Sequence, residues 1–235
     1  MVSNLRYWPV FEYNLSLARK FNPFLDILCI VPKAFNPPVS PELVGQCNVL
    51  YTADTFEGQG GDAKFRIVDY PERLNYDSFL YLDTDAFVYG DLAPIFEIIE
   101  SDKTKVHGVP DTLDINSRRK YTHYKFTNRR FKEKTHGYNG GTFGFCRESL
   151  SLIQRVKDSY KTAQLDRPQN HSSDQTYINE NLAEEFMIPF LWQRVKFYGG
   201  SECNIAKKKT ALVLHPCGRT TPGPTKKIEL MKAYL

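Results

Sequence analysis

Short apolar runs that alternate with helix-period segments are what most constrain this chain. Leu25 to Val31, Asn48 to Tyr51, Phe79 to Leu82, Lys105 to Val109, Thr142 to Cys146 and Ala211 to Leu214 read as strands. Most of these runs lack polar–apolar alternation, so both faces of each strand are expected to be covered. Leu5, Trp8, Phe11, Leu15, Ala18 and Phe21 follow a helical period, with Pro9 in the first turn. Further helices are predicted from about Asp62 to Tyr70, after a loop containing Gly58, Gly60 and Gly61, and from Leu92 to Glu100, which Asp91 can cap. Two more run from Arg147 to Tyr160 and, capped by Ser173, to Leu182. Strand followed by helix, repeated, predicts an α/β fold: one domain with a mostly parallel central sheet and helices on both faces.

Composition narrows the function classes. The 235 residues suffice for one large domain, and 41% hydrophobic with 25% charged residues is ordinary for a water-soluble chain. No apolar run approaches the roughly 18 residues of a membrane span. The early charges and helical pattern of Met1 to Lys20 do not read as a signal peptide, so a cytoplasmic location is expected. Five cysteines without a CxxC pair argue against a disulfide framework or a structural zinc site, and are read as reduced core thiols. The net charge of +4 is uneven: residues 114–134 carry +6, which leaves −2 for the rest. One basic segment on a slightly acidic body disfavours nucleic-acid binding by the whole surface.

The chemistry-bearing feature is Asp83-Thr84-Asp85, directly after Phe79-Leu80-Tyr81-Leu82. Two carboxylates this close at a strand exit repel each other unless a cation lies between them. His215 also follows an apolar strand core. Ligands of open α/β sheets bind outside the carboxyl ends of the strands, so residues far apart in sequence can meet there. Two carboxylates and an imidazole suit Mn²⁺ or Mg²⁺, with open positions for phosphate oxygens and water. Taken singly, a DxD is more often a solvated turn and a histidine more often structural. Their matching positions at strand exits favour the joint functional reading.

In order along nearly the whole chain, the motifs resemble those of GT-A glycosyltransferases of family 8, the group that includes glycogenin and bacterial galactosyl- and glucosyltransferases. Ser3-Asn4-Leu5-Arg6-Tyr7 resembles Thr-Asn-x-x-Tyr, which contacts base and ribose, and Lys64 matches a lysine near the donor. Tyr81-Leu82-Asp83-Thr84-Asp85 matches the DxD signature, and Pro110-Asp111 falls where an aspartate approaches the donor sugar. Asn139-Gly140-Gly141-Thr142-Phe143 resembles Asn-Ser-Gly-x-Phe, whose small residues let the backbone approach the sugar. Asp174-Gln175 resembles the Asp-Gln that faces the anomeric carbon. His215-Pro216-Cys217-Gly218 resembles His-Phe-x-Gly, whose histidine is the third metal ligand, and Arg219 follows it.

The resemblance implies a nucleotide-binding half over 1–90 and a donor-sugar and acceptor half over 91–235. It implies a UDP-sugar donor, a divalent metal held by Asp83, Asp85 and His215, and retention of configuration. Asp174 and Gln175 are then the residues at the reacting face. The chain departs from the family in two places. Only Met1 and Val2 precede Ser3, where the first strand is expected, and Thr221 stands at the diphosphate lysine position. That charge then falls to Arg219, Lys226 or Lys227.

Plain structural roles compete with these assignments. Asn4 and Tyr7 can cap and staple the first helix, Lys64 can be a surface lysine, and Asn139 to Gly141 can be a turn. Asp174 opposes a helix dipole in either case. The basic segment, with Tyr121, Tyr124, Phe126 and Phe131 interleaved, reads as a solvated loop, as a platform for an anionic glycan, protein or lipid acceptor, or as a flap over the donor; nucleic acid or an acidic membrane surface could also use such a patch. The alternatives to a transferase are a non-catalytic binding protein on the same scaffold and a phosphatase of the haloacid dehalogenase type, whose DxD also follows a strand.

Overall fold

A computed structural model of the chain describes residues 5–32, 49–53, 60–110, 138–166, 174–182, 187–189, 211–215 and 223–233. They group into two compact units interleaved along the sequence.

The first unit is organised around helix α1 (Trp8–Phe21), which follows a 3₁₀ turn at Leu5–Tyr7 and carries Pro9 in its opening turn. Pro is tolerated there because the first helical N–H groups have no partner within the helix. One stripe of α1, formed by Trp8, Phe11 and Leu15, packs on Cys29 and Val31 of strand β1 (Leu28–Pro32). A second stripe, Val10 and Leu17, packs on Phe87 and Leu214. The helix is therefore buried along two lines, which accounts for its dense apolar content. β1 pairs in parallel with β2 (Val49–Ala53).

The second unit holds a sheet in the order β3 (Ser78–Leu82), β6 (Tyr138–Cys146), β5 (Val106–Pro110), β7 (Met187–Pro189). Strand β3 (Ser78–Leu82) lies in this unit apart from its last residue. Phe79 stacks on Phe145 at 5.1 Å and Tyr81 on Phe143 at 4.8 Å between ring centroids. Residues two apart on neighbouring strands share a face, which sets this pairing of rings. β5 (Val106–Pro110) runs antiparallel to β6 (Tyr138–Cys146) and parallel to β7 (Met187–Pro189).

The remaining elements partly depart from the sequence reading. In the first unit, β4 (Phe87–Val88) pairs antiparallel with β8 (Val213–Leu214). Parallel pairs were expected, and β1/β2 and β5/β7 supply them. Helix α2 (Ala93–Glu100) starts where expected, with the Asp91 carboxylate accepting the Ala93 N–H at 2.9 Å. Residues Gly60–Asp69 form a 3₁₀ rather than an α-helix. Two leading glycines and the β-branched Ile67-Val68 weaken the α form there.

In the second unit, α3 (Leu150–Asp166) buries Ile153, Val156 and Tyr160 at helical spacing and meets α4 (Asp174–Leu182) through Tyr160 edge-on to Tyr177 at 4.9 Å. Helix α5 (Pro224–Lys232), in the first unit, was not anticipated. It is fixed by Met231 in the core and by the Tyr89 hydroxyl donating to the Met231 carbonyl at 2.9 Å. Cys29 and Cys146 are buried free thiols, in keeping with the reading of core cysteines. The basic stretch 114–134 lies outside the described residues.

Candidate metal centre

The exit of β3 becomes a tight turn, with the Ala86 N–H bonded to the Asp83 carbonyl at 2.9 Å. Asn14 of α1 holds that turn from below. Its amide donates to the Ala86 carbonyl at 2.8 Å and to the Thr84 carbonyl at 3.3 Å, and its oxygen accepts the Val88 N–H at 3.0 Å. Asn22, just past the end of α1, does the same one step later. It accepts the Leu92 N–H at 2.8 Å and donates to the Gly90 carbonyl at 3.0 Å. A buried amide with both ends used fixes backbone as firmly as a strand pairing does, because leaving either end unpaired is costly. Neither asparagine was singled out from the sequence, since an Asn on a helix gives no sign of which distant backbone it serves.

On this turn Asp83 and Asp85 meet His215 as the sequence reading required. Their ligand atoms lie within 4.8 Å of one another. His215 Nε2 is 3.2 Å from Asp85 Oδ1 and 4.0 Å from Asp83 Oδ2, and the ring is buried. Two lysines close the group. Lys64, 5% exposed, lies 3.4 Å from Asp83 Oδ1, and Lys227 of α5, 3% exposed, bonds Asp85 Oδ2. Burial alone would raise the Asp85 carboxyl, but the His215 ring and the Lys227 ammonium outweigh it and hold the group well below the usual carboxylate range. The donor set fits a hard or borderline divalent ion: two carboxylate oxygens and one imidazole nitrogen within one ion's reach.

Tyr7, which ends the 3₁₀ turn before α1, lies with its ring centroid 5.4 Å from the Lys227 ammonium. Thr84 contributes its backbone carbonyl to Asn14. Of the three cations considered for the diphosphate, Lys227 reaches the acidic pair, Lys226 is exposed, and Arg219 lies outside the described residues. Ser3, Asn4, Asp111 and Gly218 also lie outside them.

In the second unit, Asn139, Gly140 and Gly141 belong to β6 itself rather than to a turn preceding it. They fall where the β5/β6 register shifts, between the Gly108–Phe143 and Pro110–Tyr138 pairs. Irregularities of this kind re-aim backbone and side chains at a strand's end. The first turn of α4 is set against this segment. Asn179 exchanges both ends of its amide with Tyr138, at 2.6 and 2.8 Å, and Gly140 N–H donates to Gln175 Oε1 at 3.3 Å. A Cβ on Gly140 would stand 3.2 Å from the Gln175 Cα and 3.4 Å from an Asp174 carboxylate oxygen. Here close approach favours a glycine, and Asp174 and Gln175 lie against the Asn-Gly-Gly backbone. Asn179 is a further residue that the sequence reading did not identify.

No protein-family profile matches the chain, and no curated protein sequence does. Solved structures do. The galactosyltransferase LgtC in complex with donor and acceptor sugar analogues aligns over 97% of this chain and 93% of its own, at 13% identity and a TM-score of 0.64. An active-site Gln-to-Glu mutant of LgtC aligns over the same shares at 13% identity and a TM-score of 0.61. A glycosyltransferase involved in glycosylation of the major capsid of PBCV-1 covers 94% of each chain at 14% identity and a TM-score of 0.52. The chain therefore has the fold of these glycosyltransferases, an α/β nucleotide-diphospho-sugar transferase-like fold. Among the described residues no helix is long and apolar enough to cross a membrane.

Proposed function

We propose that the chain is a metal-dependent glycosyltransferase that moves a hexose from a nucleoside-diphosphate sugar, with UDP-hexoses first, to an acceptor hydroxyl with retention of configuration. The single observation that carries this reading is the convergence of Asp83, Asp85 and His215 within 4.8 Å, on a fold shared with sugar-transferring enzymes. Mn²⁺ or Mg²⁺ held by these three residues would supply Lewis-acid stabilisation of the leaving diphosphate.

The chain's own residues do the remaining work. Asn14 fixes the turn so that both carboxylates are presented without reorganisation when the donor arrives. Lys64 pairs with Asp83 and helps fix the donor phosphates. As the family resemblance implies, Ser3, Asn4, Tyr7, Thr84, Gly218 and Arg219 are assigned to the donor nucleotide, and Asp111, Asn139, Gly140 and Gly141 to its sugar. Asp174 and Gln175 are assigned to the reacting step, as the resemblance implies. The acceptor oxygen bonds to the anomeric carbon, the bond from that carbon to the diphosphate oxygen breaks, and the acceptor proton leaves with the diphosphate. The basic, aromatic segment 114–134 is the acceptor platform, suited to an anionic glycan, protein or lipid.

A panel of nucleotide sugars with Mn²⁺, read for nucleoside-diphosphate release and for thermal protection, tests this. Release is expected with at least one donor, and it should vanish in Asp83→Asn, in Asp85→Asn and in excess chelator. Full activity under any of these conditions would refute the assignment. Protection without release would leave a donor-binding scaffold.

A further inference from the structure

Lys227 occupies ground that a metal ion must claim. Its ammonium bonds Asp85 Oδ2 and stands 5.4 Å from the Tyr7 ring centroid, and the residue is 3% exposed. α5 holds it there. The helix starts with Gly223 and Pro224, the Lys227 N–H closes the first turn on the Gly223 carbonyl at 3.1 Å, and Met231 is anchored one turn later by Tyr89. Lys64 faces Asp83 in the same manner at 3.4 Å. Each carboxylate of the pair thus faces an ammonium of its own. A divalent ion entering this cluster finds the negative charge already answered, and it must displace a buried cation from Asp85 to bind there.

We propose that Lys227 is a tethered counter-ion that alternates with the divalent metal on Asp85: it holds the carboxylate while the metal is absent and passes to the diphosphate when metal and donor bind. The proposal rests on reading the chain as a nucleoside-diphosphate-sugar transferase. Its direction comes from the geometry, because the ammonium is within reach of both the carboxylate assigned to the metal and the ring assigned to the nucleoside, and a donor diphosphate would run between those two groups. Lysine suits the task, being a compact charge on a flexible stem. With Thr221 at the position where the resemblance places a diphosphate lysine, Lys227 supplies that charge from α5. Metal alone displaces an ammonium that then lacks an anion; metal with diphosphate provides one. Each therefore strengthens the other's binding, and by the same factor.

The test is Mn²⁺ binding, followed by electron paramagnetic resonance, to the wild-type chain and to Lys227→Met, with and without UDP, ADP or GDP. Lys227→Met should bind Mn²⁺ alone about tenfold more tightly than the wild type, and the gain in Mn²⁺ affinity on adding nucleotide should shrink by a similar factor. A folded Lys227→Met that binds Mn²⁺ no more tightly overturns the proposal while leaving the transferase reading intact. If the variant does not fold in chelator, recovery of the fold in excess Mn²⁺ supports the proposal, and failure in both conditions overturns it. A wild-type chain that binds Mn²⁺ neither alone nor with any of the nucleotides removes the transferase reading, and this inference falls with it.

Discussion

Replacing Asn14 with alanine probes whether the turn that carries Asp83 and Asp85 is held by a single side chain. Asn14 is 8% exposed and gives its amide to the backbone at three points: the Ala86 carbonyl at 2.8 Å, the Thr84 carbonyl at 3.3 Å and the Val88 N–H at 3.0 Å. The first and last of these bonds are buried, and a buried polar group deprived of its partner costs about 1–3 kcal/mol. Asn14→Ala is therefore predicted to destabilise the chain by about 2–5 kcal/mol, a large fraction of a typical domain's stability. Denaturant unfolding monitored by tryptophan fluorescence reads that loss. Mn²⁺ affinity should fall with it, because Asp83 and Asp85 flank the released carbonyl of Thr84. Ser16→Ala on the exposed side of the same helix is the control and should stay within about 0.5 kcal/mol of wild type. An Asn14→Ala variant as stable as that control, or one with wild-type Mn²⁺ affinity, would refute the argument that this amide builds the turn.

Two further predictions concern the second unit. Gly140→Ala places a Cβ 3.2 Å from the Gln175 Cα, which cannot rotate away, so a loss of about 1–3 kcal/mol is expected in thermal or chemical unfolding, together with reduced turnover from the displaced α4. An unchanged melt would show that α4 moves freely against β6. The second concerns Asp69, which pairs with Lys157 at 2.5 Å and with Arg66 at 3.0 Å. Burial would raise its carboxyl, but bonding to these two cations outweighs that and leaves it lowered. A carboxyl lowered by folding contributes stability that is in force above its unfolded value and is lost as pH falls through the folded one. Asp69→Asn should accordingly be less stable than wild type at neutral pH, and the difference should close in strong acid. Parallel stability curves from pH 7 to pH 2 would contradict this.

The sequence by itself determined what local pattern can carry. Short, largely apolar runs marked β1, β2, β3, β5, β6 and β8, a helical period marked α1, and the placement of Asp83, Asp85 and His215 just past strand cores predicted their meeting. Gly140 was read as leaving room for a sugar; its close approach to Gln175 of α4, and its place inside β6 rather than before it, came only with the structure. Tertiary structure decided the rest. β4 and β7 are two and three residues long, too short to leave a period. The antiparallel β4/β8 and β5/β6 pairs depend on which edges the connecting segments bring together. Asn14 serves backbone 72 residues away, and Lys227 reaches a carboxylate 142 residues away. Periodicity records how a residue relates to its neighbours within a turn or two; a hydrogen bond or ion pair across the fold exists only once burial has removed water as the competing partner. For that reason the acidic pair could be read from the chain, while the asparagine that shapes it and the lysine that neutralises it could not.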